Sequence, residues 1–308
     1  MKNKKLSGAL LWPVLLILFL GLPFSGHDYF IGIGLSFLMW LALAQSWSVL
    51  SNMTGYISLG HVVFYGLGSY IVVVTWQQVP LWMSITAGGL ASALFAALIG
   101  MPVLRVRGPY FVILTFGLAE LVKYALLALE AHMGISSRLL FGAPDIVTIY
   151  WMILALAVAS TILLEAVHRS RFGHGLRSLR EDEQAAETLG VPVTRFKLYA
   201  YVLSAFIPGM VGGVMALRST YFEAGQAFDP LISINIIVMA IIGGGDNARG
   251  PLIGVAFLVL LSEWLWVEAP QFYLIVLGLL MLVFVVLLPN GLLGLHEARQ
   301  RTRQRSAT

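Results

Sequence analysis

Arg169-Ser-Arg-Phe-Gly-His-Gly-Leu-Arg-Ser-Leu-Arg-Glu-Asp-Glu-Gln-Ala-Ala-Glu-Thr-Leu-Gly-Val-Pro-Val-Thr-Arg-Phe-Lys197 is the only long hydrophilic stretch in a chain of 308 residues that is 59% hydrophobic and 11% charged. Soluble domains average about 25% charged residues, so the sequence on either side reads as membrane-embedded. Charges and backbone groups in such a stretch would be unsatisfied in hydrocarbon. The stretch is therefore expected outside the bilayer, as a docking or regulatory surface on one side of a hydrophobic bundle.

Working outward, the flanking sequence divides into apolar runs near the ~20 residues that a helix needs to cross about 30 Å of hydrocarbon. Ten spans are expected, at 6–24, 30–50, 57–77, 81–104, 109–129, 148–167, 198–217, 231–245, 251–267 and 272–288. The fold class is thus all-α, a polytopic transmembrane helical bundle of eight to ten spans forming one domain over 1–308, with a polar loop at 169–197 and a basic tail at 296–308. The 57–77 run is interrupted by Gly60, Gly66 and Gly68, and 231–245 is short, so either could be re-entrant. With the N-terminus inside and the first run retained as a span, 16 of the 19 Lys and Arg fall on the cytoplasmic side, as the positive-inside rule requires. Both termini are then cytoplasmic and lipid surrounds the bundle. The pI of 9.4 follows from these loop charges and needs no nucleic acid. With no cysteine there are no disulfides and no thiol chemistry.

Several residues carry a candidate role. Glu183-Gln184-Ala185-Ala186-Glu-Thr-Leu-Gly190 suits a short helix ended by Gly190, with Val191-Pro192 preventing continuation. Ala185 and Ala186 would offer a smooth patch for a partner's groove; a solvated loop is the alternative. Breaks near Ser58-Leu-Gly60-His61 and near Gly243-Gly244 lie one in each half of the chain, the pattern that points to a transporter's central pathway. Glu120 and Lys123 are i,i+3 on the fifth span and suit an internal ion pair, either structural or used by a zwitterionic cargo. Pro208-Gly209 lies mid-span, with Gly209 and Gly213 on one face, suited to close packing or to a hinge. His61 has no neighbour at metal-ligand spacing, and the glycine-rich 243–250 stretch lacks a phosphate-loop lysine and follows a span, so it is not a nucleotide cradle.

Ala185-Ala186-x3-Gly190 resembles the cytoplasmic coupling loop of ABC importer permeases, with Gln184 standing where that pattern has Glu. Four further blocks before the end of the bundle, Ser58 to Tyr70, Arg105 to Phe111, Arg171 to Arg177 and Gly243 to Pro251, and Leu288 to Gly294 beyond them, look like those of the branched-chain amino acid importer permeases, the longer of the two paired subunits. The resemblance covers residues 51–294. It implies a permease in the bacterial inner membrane that translocates branched-chain or other hydrophobic amino acids. It also implies a second permease, two ATPase subunits that bind the ATP and Mg, and an extracytoplasmic substrate-binding protein; this chain would hold no cofactor and catalyse nothing. Where that family has Thr-Gly-Gly-x-x-Gly-Leu, this chain reads His132-Met-Gly-Ile-Ser-Ser-Arg-Leu-Leu140, which leaves urea or short-chain amides open as cargo. An ion-coupled secondary transporter using Glu120 and Lys123 is the reading from another class.

Overall fold

The computed structural model describes residues 2–268 except 136 and 246, together with 272, 275–276, 278–279 and 282–283; side chains are described for these apart from 2–11, 25 and 266–268. The expected tenth span falls largely outside the described residues, and the basic tail wholly so. In chain order the helices are α1 (Lys2–Gly21), α2 (Asp28–Thr54), α3 (His61–Thr75), α4 (Leu81–Val103), α5 (Pro109–His132), α6 (Ile146–Arg169), α7 (Arg171–Glu181), α8 (Glu183–Thr188), α9 (Val193–Ala216), α10 (Ala224–Ala227), α11 (Pro230–Gly243) and α12 (Arg249–Glu268). A 3-10 turn at Leu22–Ser25 follows α1. Two short strands, β1 (Arg138–Leu139) and β2 (Tyr221–Phe222), pair antiparallel.

The bundle is all-α, and among the described residues six helical segments are long and apolar enough to cross a membrane: 28–54, 81–103, 109–132, 146–169, 193–216 and the joined 224–243. Trp12–Phe24 and His61–Thr75 are shorter apolar helices. The expected 57–77 span takes a particular form. Its helix has only 15 residues, about 22 Å at 1.5 Å per residue, and residues 55–60 are non-helical. Ser58 and Gly60 are nevertheless buried.

A buried non-helical segment must have its polar groups met by side chains. Trp47 Nε1 donates to the Ser58 carbonyl at 2.9 Å, Thr115 Oγ1 accepts from Leu59 N at 3.2 Å, and Ser233 Oγ accepts from Val62 N at 2.9 Å. The break is therefore tied to α2, α5 and α11.

Helices in lipid gain little from hydrophobicity alone and associate closely through small residues. Here α3, α4 and α9 do so. A Cβ on Gly68 would land on the Gly209 carbonyl, one on Gly212 on the Tyr65 carbonyl, and one on Gly209 within 2.8 Å of the Gly88 oxygen. Ser92 of α4 donates to the Phe64 carbonyl of α3 at 2.8 Å, a further tie at this crossing. Around it, Leu35, Trp47, Tyr150, Ile153, Val211 and Ile236 join α2, α6, α9 and α11 in one core. By contrast α5 is only 17% buried over its apolar window, with Tyr110, Ile113, Leu121 and Tyr124 exposed.

Pro208 lies within the continuous helix α9. Having no N–H, it cannot satisfy the Ser204 carbonyl. That oxygen instead accepts from Ser46 Oγ of α2 at 3.0 Å, which converts a helix defect into an interhelical bond.

Candidate functional site

The polar stretch folds as two helices on one end of the bundle. Ser170 caps α7 by accepting from Gly173 N at 3.0 Å, and Leu176 and Leu179 bury the inner face of α7. Asp182 starts α8, its carboxylate accepting from Gln184 N at 2.8 Å and Ala185 N at 3.0 Å. At the other end Gly190 has φ +85. Gly190 N donates to Glu187 O and Val191 N to Ala186 O, both at 3.0 Å. These two bonds are the Schellman pattern that only a left-handed residue completes without strain.

The two alanines do not form one outward patch. Ala186 is 2% exposed and packs into the chain's own core, whereas Ala185 is exposed. The reason is the 100° step between neighbours on a helix, combined with the cap that turns Val191 back over Ala186. The outward face of α8 consists of Gln184, Ala185, Thr188 and Leu189, and the Leu189 side chain is 83% exposed.

Glu183 also departs from expectation. It faces inward rather than toward a partner, with its side chain 14% exposed. Its carboxylate is in contact with the Lys197 ammonium at the start of α9, accepts from the Tyr56 hydroxyl at 3.0 Å and lies 3.4 Å from Arg107 Nε. Lys197 in turn donates to the Tyr56 hydroxyl at 2.7 Å and sits 4.5 Å from the ring centre. Burial, reinforced by the Glu183 charge and hydrogen bond and opposed by Arg107, pushes the Tyr56 phenol upward, so it stays protonated and donating. One carboxylate thus fastens α8 to the α2–α3 segment, the α4–α5 loop and α9. A second tie joins α7 to α2, where Arg180 Nη1 donates to the Asn52 carbonyl at 2.8 Å.

Sequence reading missed Tyr56, Arg107 and Lys197. A lysine one residue before an apolar run was the available signal, because a charge at that depth requires a partner.

The pathway candidates divide into groups. Ser58 and Gly60 lie in the break before α3, beside Thr115 and Ser233, and His61 opens that helix. His61 is fully buried, with neither ring nitrogen hydrogen-bonded among the described residues. Pro208 and Gly209 are buried in the α3–α4–α9 crossing. Gly243 and Gly244 lie in the α11–α12 turn, where Gly243 packs on the Gly250 backbone and Asn52 donates to the neighbouring Gly245 carbonyl at 3.1 Å.

The expected Glu120–Lys123 ion pair is not formed. Both side chains are half-buried on α5, the ion pairs among the described residues do not include them, and the Lys123 ammonium lies 5.8 Å from the Tyr124 ring centre. On this weakly packed helix nothing forces the two chains into the rotamers that an i,i+3 pair needs.

Comparison with known proteins accords with this architecture. The sequence model of the family described as branched-chain amino acid transport system / permease component matches residues 29–285. The high-affinity branched-chain amino acid transport system permease protein LivM of Salmonella typhimurium is 26% identical over 95% of this chain and 76% of its own length. The match to LivM of Escherichia coli has the same identity and coverage. The L-arabinose transport system permease protein AraH of Escherichia coli is 30% identical over 39% of this chain and 34% of its own length. No solved structure matches the chain.

Proposed function

We propose that this chain, which belongs to the family of branched-chain amino acid transport system permease components, is one permease half of an ATP-driven importer carrying branched-chain or other hydrophobic amino acids across the bacterial inner membrane. In this reading 1–308 is a single transmembrane domain. A second permease completes the pathway, and an extracytoplasmic binding protein delivers cargo. Two separate ATPase subunits bind ATP and Mg, and α7–α8 is the surface on which one of them acts.

The observation that carries the reading is the two-sided character of α8. One side offers Gln184, Ala185, Thr188 and the exposed Leu189; the other is fastened through Glu183 to Lys197, Tyr56 and Arg107. A push on the outer side is carried into α9, the break before α3 and the α4–α5 loop at once. Packed elements held in this way move as units between discrete arrangements, which is how ATPase closure would shift the pathway between outward-open and inward-open populations.

Leu189→Arg tests it, since an exposed position leaves folding within about 0.5 kcal/mol. The variant is expected at wild-type abundance in the membrane, with ATP-dependent leucine uptake and co-purified ATPase both reduced at least about tenfold, the scale of losing one interface anchor. Normal uptake and normal ATPase retention would remove α8 from coupling. Vesicles that concentrate leucine on an ion gradient without ATP would instead support a secondary transporter.

A further inference from the structure

A groove of about 620 Å³ runs between α1, α2, α6 and the start of α12. Along α6 it extends from Leu154 to Arg169, about 22 Å at 1.5 Å per residue. One end closes at Phe19, which stacks on Phe37 with ring centres 5.0 Å apart and whose carbonyl accepts from the Tyr150 hydroxyl at 2.7 Å. From there Leu16, Leu38, Leu41, Val158 and Ile162 supply apolar walls. Thr161 also lines the groove, but its hydroxyl is already used, donating to Gln45 Oε1 at 2.8 Å. Leu16 and Ile162 are exposed, so the groove opens toward what surrounds the bundle.

The charged lining residues, Glu165 and Arg169, stand together at the α7 end. Arg169 Nε donates to Glu165 Oε1 at 2.8 Å, and Nη2 donates to the same oxygen. The Glu165 Oε2 and Arg169 Nη1 atoms take no part in these bonds, and the Arg169 side chain is 76% exposed. An anion and a cation one turn apart, at the end of a long apolar groove, match a headgroup with both an ammonium and a phosphate joined to a hydrocarbon chain. A transmembrane helix does not fit, because at ~10 Å diameter it would need about 1,700 Å³ over the same length. A single acyl chain does fit, since one leaflet of hydrocarbon is only about 15 Å deep.

We propose that this groove is a phospholipid site, taking one acyl chain between α1 and α6 from the leaflet on the α7 side, with the headgroup phosphate on Arg169 and its amine on Glu165. The proposal goes beyond the importer reading and does not depend on the cargo. It sets the lipid headgroup against the corner where α6 passes through Ser170 into α7.

The test uses the full chain with its partner subunits in native membrane vesicles, and as probe a phosphatidylethanolamine with a diazirine in one acyl chain. Illumination is expected to label peptides spanning 12–19 and 154–169 above those carrying Leu94 and Leu98, lipid-facing positions of α4 that are also exposed. Unlabelled phosphatidylethanolamine should compete, and phosphatidylglycerol, whose headgroup has no cation, should compete poorly. Ala166→Trp and Leu16→Trp add bulk at exposed lining positions. At wild-type membrane abundance each should lower this labelling at least about tenfold, the cost of displacing two methylenes from the groove. Arg169→Gln should lower it about threefold, the scale of one exposed charge contact. Labelling no stronger than at α4 would leave only the general lipid shell, or another chain covering this face, and overturn the site. So would labelling unchanged in both tryptophan variants. Equal competition by phosphatidylglycerol would overturn the headgroup assignment.

Discussion

Lys197 is 3% exposed and has the Glu183 carboxylate and the Tyr56 hydroxyl as its polar contacts. Breaking a buried pair from one side costs more than removing both partners, because the survivor keeps its desolvation penalty without compensation. The two sides of this pair are unequal. Loss of Lys197 leaves Glu183 with Tyr56 and Arg107, although Arg107 is 58% exposed and worth little. Loss of Glu183 leaves an almost wholly buried ammonium with only a phenol. Glu183→Ala is therefore expected to destabilise by on the order of 3 kcal/mol, more than Lys197→Ala and more than Glu183→Ala combined with Lys197→Met, read as thermal unfolding in detergent. A double variant less stable than either single would show that the two side chains do not act on each other.

At the scale of elements, the crossing of α3, α4 and α9 sets which glycines matter. Gly68→Ala would drive a Cβ into the Gly209 carbonyl, and because both partners are backbone, the helices must part. Gly117 of α5 has nothing within 4 Å of an added Cβ. Gly117→Ala is accordingly expected to be neutral or stabilising by up to about 1 kcal/mol, and Gly68→Ala to lower membrane abundance and unfolding temperature sharply. Equal effects would mean that this crossing is not tight. These two glycines look alike in sequence, which marks the limit of what could be read there. Gly60, Gly66 and Gly68 suggested an interrupted span, and only Gly60 sits at the break; Gly66 makes room for Phe228 and Gly68 for Gly209, partners more than a hundred positions away. Likewise the end of α8 was legible because Gly190 and Pro192 act locally. Which of two identical alanines turns inward was not, since Tyr56, Arg107 and Lys197 fix that orientation from three other segments. The apolar spans needed only local composition, and the ties between them needed the fold.

For the molecule as a whole, the contacts gather the positive charge at one end. Arg107 and Lys197 meet on Glu183, and Arg180 reaches the end of α2 at Asn52. Arg138 lies elsewhere: it is 3.6 Å from Glu130 at the end of α5 and 5.8 Å from the Tyr70 ring centre, on the strand that pairs with Phe222. Lys197 and Arg218 are separated by nearly the whole of α9, whose 24 residues span about 36 Å, enough to cross a bilayer. The charge asymmetry of the sequence is thus an asymmetry between two ends of one folded body, and in the proposed importer the positive-inside rule would turn the α7–α8 end toward the cytoplasm. That orientation is required by the proposed function, because α8 must face the ATPases. The absence of cysteine allows a direct check with single substitutions. Thr188→Cys in α8 and Ser306→Cys in the tail are expected to react with an impermeant maleimide only in inverted membrane vesicles. Ser137→Cys, beside β1, should react only in intact spheroplasts. Reaction of position 188 from the outer face would reverse the molecule in the membrane and leave α8 on the side without ATPases, so the coupling proposed for this helix would be lost.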